Sequence, residues 1–210
     1  MTGVARPLFL LPLLILCCAR TLQADEIKIP VIAGLTGASA SFGSGELNAY
    51  RLAVEEWNSR GGLNGKSIEL IVEDAQTSQK QILSAYHRLA SAKPAVILGP
   101  TWLDAYQAVV TVARKDGVLL VTPSAAFEAL TPENRQWAVT FYHNSTLEAR
   151  VLAEGLLERG YSRVALIHQN EPFAEMFKGL ISEHLPPLIA EAGVQAGQTH
   201  YPTLLARLRK

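Results

Sequence analysis

The sequence predicts an α/β protein built on a parallel sheet with helices on both faces. Short apolar runs that end at Gly or Pro alternate with longer segments of helical periodicity, which is typical of repeated βαβ units. The clearest run, 95–98, is Ala-Val-Ile-Leu and stops at Gly99-Pro100. It predicts a strand buried on both faces. Ligands of such sheets bind beyond the carboxyl ends of the strands, where Thr101 and Trp102 would either line a site or merely begin the next helix.

Composition places the chain among globular proteins and gives no sign of nucleic-acid binding. The 210 residues include 19 basic and 19 acidic side chains, and 49% of the residues are hydrophobic. No run of basic residues occurs, so no electrostatic footprint for nucleic acid is present.

The first 24 residues are predicted to be a cleaved signal peptide. Arg6 gives a positive start, the apolar segment 8–18 follows, and Leu22-Gln23-Ala24 is a plausible cleavage site. A retained membrane anchor is the alternative, although the apolar segment is short for a membrane span. A lipoprotein signal lacks the small residue that normally precedes the modified cysteine.

Cleavage would change the composition of the exported chain. Cys17 and Cys18 are the only cysteines, so the mature chain would carry neither a disulfide nor a catalytic thiol. Loss of Arg6 and Arg20 leaves 17 basic against 19 acidic residues. Export of such a domain indicates the bacterial periplasm or the cell surface.

The predicted elements alternate along the chain. Strands are predicted at 27–33, 66–74, 95–98, 118–121, 136–141, 163–168 and 194–199. Helices are predicted from about 46 to 60, from 79 to about 92, at 104–115, 145–160 and 172–184, with a basic amphipathic turn at 203–210. The helix starts are assigned to cap pairs, Ser78 with Gln81, Asp104 with Gln107, and Ser145 with Glu148. Leu47, Tyr50, Val54 and Trp57 are predicted to be the buried stripe of the first helix.

Motifs for catalysis or nucleotide binding are incomplete. Residues 61–67 end like a phosphate-binding loop, but Arg60 stands where the pattern requires Gly, and the segment runs from helix to strand. The segment 34–37 lacks the third glycine of a dinucleotide fingerprint. No Gly-x-Ser-x-Gly elbow surrounds Ser124 and no zinc motif occurs, so neither a metal nor a cofactor is expected. Glu73-Asp74 is a catalytic carboxylate pair, a solvated pair, or a pair that caps the helix that follows.

Three loops carry the residues that favour a small-molecule site. They follow the first, third and fourth strands at 36–42, 99–102 and 124–126, and they must emerge at the same edge of a parallel sheet. The loops supply hydroxyl groups, backbone amides and two aromatic rings, which is the usual composition of a pocket for a small polar ligand. The residues concerned are Thr36, Ser39, Ser41, Phe42, Thr101, Trp102 and Ser124.

The same segments resemble the leucine/isoleucine/valine-binding protein family, the type I periplasmic solute receptors of ABC importers. The resemblance rests on the order and spacing of several pieces: 29–37, Phe42-Gly43, Ala-Val-Glu-Glu-Trp-Asn at 53–58, Gly-Gly-Leu-Asn-Gly at 61–65, and Gly-Val-Leu-Leu-Val-Thr-Pro-Ser-Ala at 117–125. It extends over nearly all of 26–210. The family implies a first lobe at 25–141, a second lobe at 142–210 and one ligand bound between them. It also implies that the protein binds this ligand without catalysing a reaction.

The resemblance also implies which residues contact the ligand. In the first lobe these are Phe42, Trp102-Leu103 and the segment Ser124, Ala125 and Ala126, and Phe173 is the aromatic residue of the second lobe that covers the ligand. Leu103 and Ala126 stand where branched-chain amino-acid receptors place a serine and a threonine. Phe42 and Phe173 replace tyrosines. A less polar pocket than that of the family is therefore expected.

Length is the main departure, because family members continue beyond the point that matches Lys210. Both lobes are expected to be incomplete and to leave apolar faces uncovered. The chain alone is therefore expected to bind its ligand poorly. The resemblance predicts a periplasmic solute-binding component working with a membrane permease; the alternatives are a ligand sensor of the same fold and an exported hydrolase using Ser124.

Overall fold

The computed structural model describes residues 26–123, 126, 128, 130–195 and 197–208, so the predicted signal peptide lies outside the described residues. The strands are β1 (Ile27–Ala33), β2 (Ile68–Asp74), β3 (Val96–Leu98), β4 (Leu119–Thr122), β5 (Ala138–Thr140), β6 (Ala165–Gln169) and β7 (Ala190–Val194). The helices are α1 (Ala40–Ser59), α2 (Gln79–Ala90), α3 (Leu103–Asp116), α4 (Pro132–Arg135), α5 (Ser145–Glu158), α6 (Pro172–Ser182) and α7 (Pro202–Leu208).

The strands form two parallel sheets. Five strands pair in the order β2-β1-β3-β4-β5, and β6 pairs with β7 alone. We call β1–β5 with α1–α4 the first unit, and β6–β7 with α5–α7 the second unit. The predicted fold, a parallel sheet with alternating helices, is confirmed, whereas the predicted lobe boundary between 141 and 142 stays a prediction.

The order of the first sheet contains a switch point between β1 and β3. The chain passes from β1 to β2 at one edge and then crosses to the other side of β1 to form β3. The loops that follow β1 and β3 therefore leave on opposite faces of the sheet, which opens a crevice at the carboxyl ends of these strands.

The core of the first unit lies between the sheet and the paired helices α2 and α3. Ile32, Ile97 and Leu120 point into it from three neighbouring strands and are fully buried, as are Tyr86 on α2 and Tyr106 on α3. The hydroxyl of Tyr86 donates to Asp116 Oδ2 at 2.8 Å, so this buried ring has a polar partner.

The sequence predicts that strand β3 is buried on both faces, but in the structure only one face is fully buried. Ile97 is buried, but Val96 and Leu98 on the opposite face are only half-buried, and Leu119 and Val121 of β4 show the same alternation. The reason is that α1 packs over β1 and β2, so among the described residues it leaves β3 and β4 partly uncovered.

Several predicted boundaries are wrong. Helix α1 already begins at Ala40, and Trp57 of its predicted buried stripe is 52% exposed. The last strand of the second unit is 190–194 rather than 194–199. Asn144, not Ser145, caps α5 by accepting the N–H of Leu147 at 2.8 Å.

The predicted cap pair at the start of the third helix is also wrong, whereas part of another is confirmed. Trp102 occupies the cap position of α3 without a side-chain hydrogen bond. Ser78 does cap α2, since its side chain accepts the N–H of Gln81.

Candidate functional site

The candidate site is the carboxyl edge of the first sheet, where the loops after β1 and β3 meet. Gly34, the first residue after β1, donates its N–H to Thr101 Oγ1 at 3.0 Å. The ring of Trp102 packs on Gly34, since its Cζ3 lies 3.0 Å from the position that a Cβ on Gly34 would occupy. A Cβ on Gly43 would lie 2.3 Å from Gly34 O, so the first turn of α1 closes on the same residue.

Thr101 is a structural residue of this edge rather than an open ligand contact. Its side chain is only 3% exposed, and its hydroxyl accepts from Gly34 N. The hydroxyl also hydrogen bonds to Glu46 of α1. Burial raises the pKa of the Glu46 carboxyl, and the bond from Thr101 opposes that rise. Thr101 therefore ties β1, β3 and α1 together.

Leu103 and Ala126 are buried and Phe42 is open. Leu103 begins α3 and is 5% exposed, and Ala126 is fully buried. Phe42 lies in the first turn of α1 and is 71% exposed. Ser124 and Ala125 lie outside the described residues. Ser124 is also the nucleophile of the alternative hydrolase function. As ligand contacts, all five remain predictions.

Thr36 is held by Asp74, which ends β2. The Asp74 carboxylate accepts from Leu35 N at 2.9 Å, Thr36 N at 3.3 Å, Thr36 Oγ1 at 2.7 Å and Gln76 N at 2.8 Å. Burial alone would raise the pKa of Asp74, but these hydrogen bonds outweigh it and the pKa is lowered. Asp74 does not cap the following helix, since Ser78 caps α2; its carboxylate fixes the loop after β1 instead.

Replacing Asp74 with asparagine should destabilise the protein by about 1–3 kcal/mol at pH 7, because charge-assisted bonds to a loop would be lost. The folded-state pKa of Asp74 is lowered, so its stabilisation is fully present above the unfolded-state pKa and is lost as the pH falls through the folded-state value. The Asp74→Asn effect, measured by urea unfolding, should therefore shrink in acid.

Glu73→Gln is the matched control for Asp74→Asn. Glu73 forms an ion pair with Arg88 at 2.7 Å, and the Arg88 side chain is 52% exposed. Such surface pairs contribute about 0–1 kcal/mol. Equal costs for the two variants would refute the loop-fixing role of Asp74.

The second unit brings an aromatic cluster and an acidic residue towards the same region. Phe173, in the first turn of α6, contacts Tyr142 edge-on with ring centroids 6.0 Å apart, and Phe177 stacks on its other side at 6.0 Å. Helix α6 contacts α3 of the first unit. Burial raises the pKa of Asp104 in α3, and the charge of Glu171 at the start of α6 adds to the rise, so these two carboxyls lie near each other.

The sequence did not single out Tyr142, Asp104 or Glu171 as site residues. Asp104 was assigned to a helix cap, and its proximity to Glu171 depends on the packing of two distant helices. Local sequence patterns could have placed both acids at the starts of helices. They could not have predicted that these two helices pack against each other.

A cavity of about 520 Å³ lies beside β5 and is distinct from the predicted site. Its lining includes Glu128, Arg135, Thr140, Tyr142 and Asn144, and only Tyr142 also belongs to the aromatic cluster. Within the described part of the chain, no group of three or more His, Cys, Asp or Glu residues is placed to hold a metal ion. In the same part, none of the helices has the length and apolar character needed to cross a bilayer.

A parallel sheet with a switch-point crevice, in contact with a second α/β unit through α3 and α6, is the fold of type I periplasmic binding proteins. A family model described as periplasmic binding protein matches residues 26–209, and the chain belongs to that family. The resemblance to the leucine/isoleucine/valine-binding proteins is thereby confirmed.

Individual relatives match at low identity and over half their length. The Leu/Ile/Val-binding protein of Escherichia coli (strain K12) is 23% identical over an alignment of 192 residues, and the match covers 89% of this chain and 52% of the relative. The crystal structure of a branched-chain amino acid transporter substrate binding protein from Streptococcus pneumoniae, in complex with isoleucine, has a TM-score of 0.80 and 24% identity, covering 88% of this chain and 54% of that one. A type 1 periplasmic binding protein from Bordetella pertussis Tohama I has a TM-score of 0.79 and 26% identity, covering 88% and 53%. The chain thus spans about half the length of these relatives.

Proposed function

We propose that the chain is a periplasmic solute-binding component that binds an amino acid or a related small polar solute and works with the membrane permease of an ABC importer. The observation that carries the proposal is the convergence of Gly34, Thr101 and Trp102 at the switch point of the first sheet. Crevices at this position are the usual ligand sites of open α/β sheets. Membership of the periplasmic binding protein family supports the same conclusion.

The proposed contacts are Phe42 and Trp102 from the first unit and Phe173 from the second, together with Ser124, Ala125 and Ala126 as the sequence predicts. Trp102 is half-buried, so its ring stays partly exposed although it packs on Gly34 and against the core. Phe42 is the most exposed of these aromatic residues and lies on the turn of α1 that closes on Gly34. The pocket is therefore walled mainly by rings, with Thr101 setting the geometry behind them.

Ligand binding should change the fluorescence of Trp102. The chain has three tryptophans, so a Trp57→Phe/Trp137→Phe variant isolates the emission of Trp102. Titration with amino acids and their amine and amide analogues up to millimolar concentration should shift this emission. The complementary variant, Trp102→Phe, should show no shift. An unchanged Trp102 emission with every solute would contradict the proposed site.

Removal of the indole ring of Trp102 tests the same site through the ligand affinity. Trp102→Ala should weaken binding at least about tenfold, as expected for a central aromatic contact. Trp57→Ala is the control, because Trp57 lies near the end of α1, away from the candidate edge, and should leave the affinity unchanged. Thermal unfolding of both variants separates lost binding from lost fold.

A further inference from the structure

Two helices begin where the first and second units meet, and their N-terminal ends are natural positions for a ligand carboxylate. Helix α3 begins at Leu103 and α6 begins at Pro172, and the two helices are in contact. Free N–H groups and the helix dipole make such ends attractive to anions. An amino-acid zwitterion would be expected to place its carboxylate there.

Both helix ends already hold a carboxylate of the protein. Glu171 Oε1 accepts the N–H of Ala174 at 2.7 Å, and its Oε2 accepts the N–H of Phe173 at 3.2 Å. The Asp104 carboxylate accepts its own backbone N–H in the first turn of α3. A ligand carboxylate would have to displace these groups and would be repelled by them.

The threonine hydroxyls of this edge are also committed inside the protein. Thr36 Oγ1 donates to Asp74 Oδ2 at 2.7 Å, and Thr122 Oγ1 donates to Pro100 O at 2.8 Å. Thr101 hydrogen bonds to the Glu46 carboxyl, whose ionised form can only accept. Because a hydroxyl has one proton, none of these three can also donate to a ligand carboxylate.

The surroundings favour a positive charge instead. Neither Lys nor Arg occurs in the segments 34–42, 99–104 and 171–173. In the sequence, Trp102 stands two residues before Asp104, and Phe173 stands two residues after Glu171. Ring faces attract ammonium groups, and carboxylates form charge-assisted hydrogen bonds with them.

We propose that this site takes a cationic amine that lacks a carboxylate, with Asp104 and Glu171 as the residues that determine this specificity. The inference rests on the proposed function, since it identifies the class of solute for the same site. Burial, and then the charge of Glu171, raise the pKa of Asp104, which agrees with two acids that lie near each other.

Three compounds that share one side chain test the proposal on the unmodified chain. They are leucine, 3-methylbutylamine, which is leucine without its carboxylate, and 4-methylpentanoate, which is leucine without its ammonium group. Chemical-shift titration by NMR can rank them even when binding is weak. We expect the amine to bind at least about tenfold more tightly than leucine, and the acid to bind most weakly.

Charge-removing variants assign the preference to the two acids. Asp104→Asn and Glu171→Gln should each reduce the amine-to-leucine affinity ratio towards one while leaving the far-ultraviolet circular dichroism unchanged. Glu133→Gln is the matched control, because Glu133 accepts its own N–H in the first turn of α4, which leads into the opposite edge of the sheet at β5.

The outcomes separate this inference from the proposed function. Leucine or the acid binding as tightly as the amine overturns the inference and leaves the proposed function in place. Binding of none of the three compounds also overturns the inference, and the Trp102 fluorescence titration then decides the proposed function by itself. A ratio unchanged in Asp104→Asn and Glu171→Gln refutes the assignment to these residues.

Discussion

Replacing Gly99 with alanine should destabilise the protein by at least about 4 kcal/mol, which is much of the stability of an ordinary domain. Gly99 has a φ of 95°, and a Cβ there would lie 2.0 Å from Ile32 O and 3.0 Å from Ile32 C. Ile32 is fully buried in β1, between β2 and β3, so its carbonyl has no room to withdraw. Urea unfolding followed by circular dichroism measures the loss.

Gly117→Ala provides the matched control, because it separates backbone strain from steric overlap. Gly117 ends α3 with a φ of 71°, but a Cβ there would meet nothing within 4 Å. This variant should therefore cost only the strain of the left-handed conformation, about 1–2 kcal/mol. A cost for Gly99→Ala no larger than that for Gly117→Ala would show that the approach of β3 to β1 is looser than the structure has it.

The close approach at Gly99 also sets the geometry of the candidate site. Thr101 reaches Gly34 N only because the chain leaves β3 against the backbone of β1. Gly99 donates its own N–H to Val121 O at 2.7 Å, so the same residue fixes β3 to β4. A partially folded Gly99→Ala protein should consequently lose the Trp102 response to ligand before it loses helical signal.

The strands and their parallel arrangement could be predicted because their signals are local. Apolar runs that stop at Gly or Pro, such as 95–98, define the strands, and the helical segments between them require parallel crossovers. The edge at which Thr101 and Trp102 lie beside Gly34 followed from the same topology. No feature of distant packing was needed for these conclusions.

The roles of individual side chains could not be predicted, because they depend on partners far away in sequence. Thr101 was expected to face a ligand, yet it bonds to Gly34, 67 residues earlier. Phe42 was placed in a loop, because the small residues 38–41 carry little helical periodicity, but tertiary contacts with Gly34 hold that turn in α1. The proximity of Asp104 to Glu171 likewise arises only when α3 and α6 pack.

The amides of β6 and β7 should exchange with solvent at least about a hundredfold faster than those of β1 and β3, a difference of about 2.7 kcal/mol in opening free energy. The fully buried core of the second unit, among described residues, consists of Ala149, Ala153 and Ile181. A two-stranded sheet with a partly exposed face is only marginally stable by itself. Ile167 of β6 is 43% exposed.

Two alanine variants test whether the two units open independently of each other. Ile181→Ala should accelerate exchange in β6 and β7 only, because Ile181 packs in the small core of the second unit. Ile97→Ala removes a fully buried side chain from the first unit, should cost about 2–5 kcal/mol, and should accelerate exchange in β1 and β3. Uniform exchange across both units, with either variant affecting all strands equally, would mean that the contact between α3 and α6 couples them into one cooperative structure.

Separate exchange would mean that the aromatic cluster around Phe173 is presented by the less stable unit, so that ligand binding between the units should slow exchange in β6 and β7 more than in β1.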